Sequence, residues 1–214
     1  MDIYALWEKM INMKFTTREL VLLAVFGALW GIVEIGLGSV LHALNVPMLG
    51  SVMAALGIMI ALIGRLYVPR RGATLFMGVI AMLLKLFSLG GVVLGPMAGI
   101  LAEALCAEIV LSLFKQPNLV AFILAGAAAV LWTMIHPFFT GLLFFGRSML
   151  DVWQGTLEEG SRLIGMDIQT AVLWIIGVMA AIRLVIGATA GLLSWQIGKL
   201  LRRRTDLSGV NVTQ

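Results

Sequence analysis

Gly95-Pro-Met-Ala-Gly-Ile-Leu-Ala-Glu-Ala-Leu-Cys-Ala-Glu108 decides how this chain is read, with Ile109-Val-Leu-Ser-Leu-Phe114 continuing it without a break. The run is apolar enough to lie in lipid, and its glycines and alanines are the small residues that let membrane helices approach closely. Yet Glu103 stands near its middle, with Glu108 a turn and a half further on. A carboxylate at that depth is costly unless a partner or a wet cavity faces it, so it is expected to serve a function. The rest of the chain is read as the walls around Glu103.

Composition supports a membrane setting. Of 214 residues, 61% are hydrophobic and only 12% are charged, which lies outside the range of soluble domains. The charges fall mainly in short gaps between long apolar segments, so the net charge of +4 bears on topology and not on nucleic acid. A single cysteine, Cys106, excludes a disulfide framework, and two histidines, His42 and His136, give no cluster for a structural metal. No cofactor is expected.

Working outward from the opening stretch, six spans are expected: Glu19 to His42, Met48 to Tyr67, Ala73 to Leu89, Val92 to Phe114, Leu119 to Phe145 and Thr170 to Leu200. Each is long enough to approach a hydrocarbon core of about 30 Å at about 1.5 Å per residue. The gaps carry helix-stopping and basic residues, as in Val68-Pro-Arg-Arg-Gly72 and Lys115-Gln-Pro-Asn118, and His136-Pro137 is expected to interrupt the fifth span. Between Gly146 and Asp167 lies the only long polar connection, where Leu150, Trp153, Leu157 and Leu163 recur at helical spacing and predict a short interfacial helix. Residues 1–18 are expected to form an interfacial segment, residues 19–204 the six-helix membrane domain, and residues 205–214 a disordered tail. The first apolar run carries Glu34 and is too long for a cleavable signal. The fold class is thus all-α, a polytopic six-helix bundle.

Six spans place both termini on one side. Lys9, Lys14, Arg18, Arg65, Arg70, Arg71, Lys115, Lys199 and Arg202 to Arg204 fall there, against Arg147 and Arg162 on the other. The positive-inside rule makes that side cytoplasmic. With this orientation Glu34, Lys85, Glu103 and His136 all land between the midplane and the outer surface, and Arg183 lies nearer the middle. Charges of both signs at similar depth imply a shared polar chamber, the alternative being buried ion pairs that only fix packing. Glu108 is expected to pair with a cytoplasmic-side arginine such as Arg65.

Trp30 precedes Glu34, and Trp132 precedes His136, by one helical turn. Indoles beside hydrogen-bonding groups suit a small, flat, polar ring. Candidate substrate-binding residues are therefore Trp30, Glu34, Lys85, Glu103, Trp132 and His136. A second face of the first span carries Ala24, Ala28 and Gly31, roughly 110° away at about 100° per residue, and is a candidate docking strip.

Six spans, cytoplasmic termini, an outer-half pocket and Ala24-Val-Phe-Gly-Ala28 together resemble the substrate-binding S components of energy-coupling factor transporters. Within that family the likeness is to the hydroxymethylpyrimidine and thiamine group, carried by Arg70-Arg-Gly-Ala-Thr-Leu75, Gly99 to Glu108, Ile182-Arg-Leu-Val-Ile-Gly-Ala-Thr-Ala-Gly-Leu-Leu193 and Ile197-Gly-Lys199. The resemblance implies a plasma-membrane subunit that captures a vitamin-like substrate and is not itself an enzyme. Its implied partners are a transmembrane coupling subunit, docked on the Ala-xxx-Ala strip, and two ATPase subunits. No Gly-xxxx-Gly-Lys-Ser/Thr loop is present. Two other readings compete: a stand-alone ion-coupled transporter and an intramembrane enzyme with Glu103 as general base.

Overall fold

A computed structural model of the chain describes residues 15–44, 46–88, 94–145, 149–165 and 168–207. Met1 to Lys14, the Gly90-Gly91 turn, residues 208–214 and the side chains of His42, Leu150 and Trp153 lie outside the described residues. The described residues form seven helices and no strand: α1 (Thr17–Ala43), α2 (Leu49–Tyr67), α3 (Ala73–Lys85), α4 (Leu94–Ser112), α5 (Leu119–Phe145), α6 (Met149–Ile164) and α7 (Ile168–Leu207).

Five of them, α1, α2, α4, α5 and α7, are long and apolar enough to cross a membrane, which fits a multi-pass membrane protein. α3 is apolar but has only 13 residues, about 20 Å of helix at about 1.5 Å per residue. The expected third span is thus cut short: Leu86, Phe87 and Ser88 leave the helix in a turn. α5 runs on through Pro137 instead of breaking there. The proline lacks only its own N–H, so the bond forgone is the one to the Thr133 carbonyl. α7 continues past Leu200 to Leu207, carrying Arg202 to Arg204 as helix.

Local chemistry starts several helices. At the head of α1, Thr16 and Glu19 form a capping box: the Thr16 amide donates to Glu19 Oε2 at 2.8 Å and the Glu19 amide to Thr16 Oγ1 at 3.3 Å. Asn118 caps α5 by accepting the Ala121 amide at 2.9 Å. Gly72, at φ +85°, turns the chain into α3, and the cap there comes from another helix. Glu108 of α4 accepts the Gly72 amide at 2.7 Å and the Thr74 amide at 3.0 Å, with Ser112 Oγ at 3.0 Å and Arg65 Nη2 at 3.5 Å completing its shell. The expected Arg65 pairing is present, and the negative charge also complements the positive end of α3.

α2 is the central helix. It is the most buried of the long apolar helices, 61% against 22–44% for the others, and it packs on α1, α3, α4, α5 and α7. Small residues permit this. Trp30 of α1, fully buried, lays its indole on Gly57, where any side chain would collide with the ring. α5 and α7 cross still more closely: Gly126, Gly187 and Gly191 bring the two backbones into contact, leaving no room for a Cβ. The main core runs through Leu23, Trp30, Ile58, Leu62, Met77 and Phe122. α6 packs apart from it, on a small cluster of Ile175 and Met179 with Met48, Met134, Leu157 and Ile164.

Candidate functional site

The alternation of helix directions brings together residues from the second halves of α1, α3 and α5 and from the first halves of α2, α4 and α7. At this end, opposite the one carrying Arg65, Arg70, Arg71 and Arg202, lies a cavity of about 690 Å³ lined by residues of all seven helices. That volume suits a small organic molecule.

Glu34, Lys85, Glu103 and His136 all line the cavity. Lys85, the last residue of α3, donates to the Glu34 carbonyl at 2.9 Å and pairs with its carboxylate at 3.4 Å. His136 Nε2 lies 2.9 Å from the Gly95 carbonyl at the start of α4, so the ring donates there. It seats against Gly99, which has no side chain to displace it. Glu103 is 7% exposed, and its Oε2 is buried with no hydrogen-bond partner among the described residues.

Glu103 and Glu108 divide the labour of α4. Five residues apart on a helix, they point roughly 140° from each other. Glu108 is enclosed by its three hydrogen bonds and Arg65, away from the cavity, whereas Glu103 lines the cavity with Oε2 unpartnered among the described residues. The sequence reading had placed Glu103 in the chamber and Glu108 with Arg65, and the side chains are arranged in that way.

Trp30 and Trp132 are not in the wall. Trp30 is buried between α1 and α2, its Nε1 without a hydrogen-bond partner among the described residues. Trp132 stacks on Phe139 at 5.4 Å, and Phe139 is exposed. Neither indole offers its face to a molecule in the cavity, because a one-turn spacing puts two residues on one side of a helix without saying how deeply each reaches.

The polar part of the wall also includes Ser51, Thr133, Glu159 and Arg183, of which the sequence reading gave only Arg183, by depth and without a facing. Arg183 of α7 is buried; its Nε donates to Thr133 Oγ1 at 3.3 Å, its Nη1 donates to the Met179 carbonyl at 3.3 Å, and its Nη2 lies 3.8 Å from Glu159. Ser51 and Thr133 join hydroxyl to hydroxyl at 3.0 Å. Glu159 reaches in from α6 and also accepts the Met48 amide at 3.2 Å. Met48 sits at φ 54°, a left-handed conformation uncommon for a residue with a side chain. Glu159 lies on the helix expected from the Leu150, Trp153, Leu157 and Leu163 spacing, and no local signal set it apart from exposed Glu158 beside it.

Of the docking strip, Ala24 is exposed, Ala28 is half-buried and Gly31 is buried against Leu84 of α3. Gly31 therefore belongs to an internal contact, and the outward strip narrows to Ala24 and Ala28 beside Val21, Val25 and Ile32. Among the described residues no group of three or more His, Cys, Asp or Glu side chains is placed to hold a metal.

The chain matches no protein-family model, no curated protein and no solved structure.

Proposed function

We propose that this chain is the substrate-capture subunit of an ATP-driven micronutrient importer, an S component of the energy-coupling factor type, for hydroxymethylpyrimidine, thiamine or a related small heterocycle. The observation that carries the reading is the cavity with Glu103 in its wall. An enclosed carboxylate with an unpartnered oxygen is costly in a packing role, and it becomes favourable when a hydrogen-bond donor arrives. In this reading α3 makes a short sixth crossing of the plasma membrane, α6 lies at the outer interface, both termini are cytoplasmic, and the cavity opens outward. Ala24 and Ala28 dock the transmembrane coupling subunit, whose two ATPase partners supply the energy.

A stand-alone ion-coupled transporter is the second reading, favoured by three ionisable groups, Glu34, Lys85 and Glu103, on three different helices around one cavity. Purification in mild detergent with native mass spectrometry separates the two. Co-isolation with ATPase subunits and a bound heterocycle of a few hundred daltons is the expected result. Uptake by the lone chain in proteoliposomes, driven by an ion gradient, would establish the second reading instead. Chemical turnover of a substrate by the lone chain would make it an enzyme.

A further inference from the structure

Among the described residues the charges around the cavity do not cancel. Each ionisable group facing Glu103 can be assigned by helix. α1 brings Glu34 and α3 brings Lys85, which pair with each other. α6 brings Glu159 and α7 brings Arg183, which also pair. α5 brings His136, whose ring donates to the Gly95 carbonyl and needs no positive charge to do so. α2 contributes the hydroxyl of Ser51 and no ionisable side chain to the wall. On α4 itself Cys106, half-buried, lies one turn further on. Among the described residues two cations thus answer two of the three carboxylates in the wall, and Glu103 is the one left over, with Oε2 unpartnered.

We infer that the molecule this cavity takes is an organic monocation, whose positive charge or charged donor is met by Glu103. The inference rests on the capture reading and narrows its substrate class. An anion would bring a second uncompensated negative charge into an enclosed site, and an uncharged ligand could give Oε2 a donor but would leave the negative charge unanswered. A monocation neutralises the wall and supplies the donor that Oε2 lacks. The Lys85 ammonium, held by the Glu34 carbonyl as well as its carboxylate, is not free to swing across and do the same.

The test uses a matched pair of probes on the full-length chain in detergent: thiamine, which carries a permanent positive charge, and deazathiamine, the isostere in which carbon replaces the quaternary nitrogen. By calorimetric titration thiamine is expected to bind about 10- to 100-fold more tightly than deazathiamine. In Glu103→Gln the two dissociation constants should come within about threefold of each other, while Glu158→Gln, on the exposed side of α6, keeps the parent's ratio. The wild-type ratio is read without any substitution and stands even where Glu103→Gln fails to fold. Equal affinities for the two probes, or tight binding of hydroxymethylpyrimidine with no preference for charge, would overturn the monocation and leave the capture reading intact. Binding of none of the three would overturn the capture of such heterocycles, and the monocation with it.

Discussion

Glu108→Ala tests the bottom of the bundle, where one buried carboxylate joins three helices. The substitution removes the acceptor of the Gly72 and Thr74 amides, at 2.7 and 3.0 Å, and the counter-ion of Arg65, which is buried with Nη1 already unpartnered. Hydrogen bonds to a charged acceptor are worth about 1.5–3 kcal/mol each, and breaking a buried ion pair from one side costs about 3–5 kcal/mol. These overlap, since both describe the same desolvated charge, so the expected loss is about 3–5 kcal/mol in all and not their sum. Unfolding of the purified chain by denaturant titration in micelles, followed by tryptophan fluorescence, gives the number. Adding Arg65→Leu to Glu108→Ala should restore about 2 kcal/mol, because the orphaned guanidinium leaves with its partner. Ligand affinity of the folded fraction should not change, since neither residue lines the cavity. A loss under about 0.5 kcal/mol for Glu108→Ala would refute the argument. The start of α3 would then be held by packing alone.

Other outcomes follow from the same contacts. Gly187→Leu should destabilise the chain by about 3 kcal/mol or more, because the new side chain meets α5 backbone that cannot yield, whereas Gly177→Leu, with nothing within 4 Å, should be nearly neutral by the same unfolding titration. Ala24→Trp should block transport by the assembled importer in a cell-uptake assay while leaving ligand binding to the isolated chain intact; loss of binding with assembly preserved would mean that this face does not dock the coupling subunit. Reporter fusions after Arg204 should be active only with a cytoplasmic reporter, and fusions within α6 near Gly155 only with an external one. The opposite pattern would place the cavity on the cytoplasmic side.

A large part of this protein can be read before any coordinates are drawn. Runs of apolar residues about as long as a bilayer is thick leave little but transmembrane helices as an outcome, since backbone groups in lipid must be satisfied within the segment. Glu34, Lys85, Glu103 and His136 could be grouped because rise per residue converts position along a helix into depth. All four do line one cavity. The Thr16 and Glu19 capping box, though local, was not singled out from the sequence and shows only once α1 is seen to begin there.

What tertiary structure alone decided is which neighbour each helix face meets. Helical periodicity gives an angle about one axis and says nothing of the axis beside it. Trp30 and Gly31 share a helix with Glu34, yet one indole is spent on Gly57 of α2 and the glycine on Leu84 of α3. Arg183 could not be assigned from sequence because its partners, Thr133 and Glu159, lie on helices far along the chain. The Glu159 contact to Met48 spans 111 positions. Glu103 and Glu108, five residues apart on one apolar helix, look alike as letters. They differ because the start of α3 packs where Glu108 can cap it, whereas Glu103 lines the cavity.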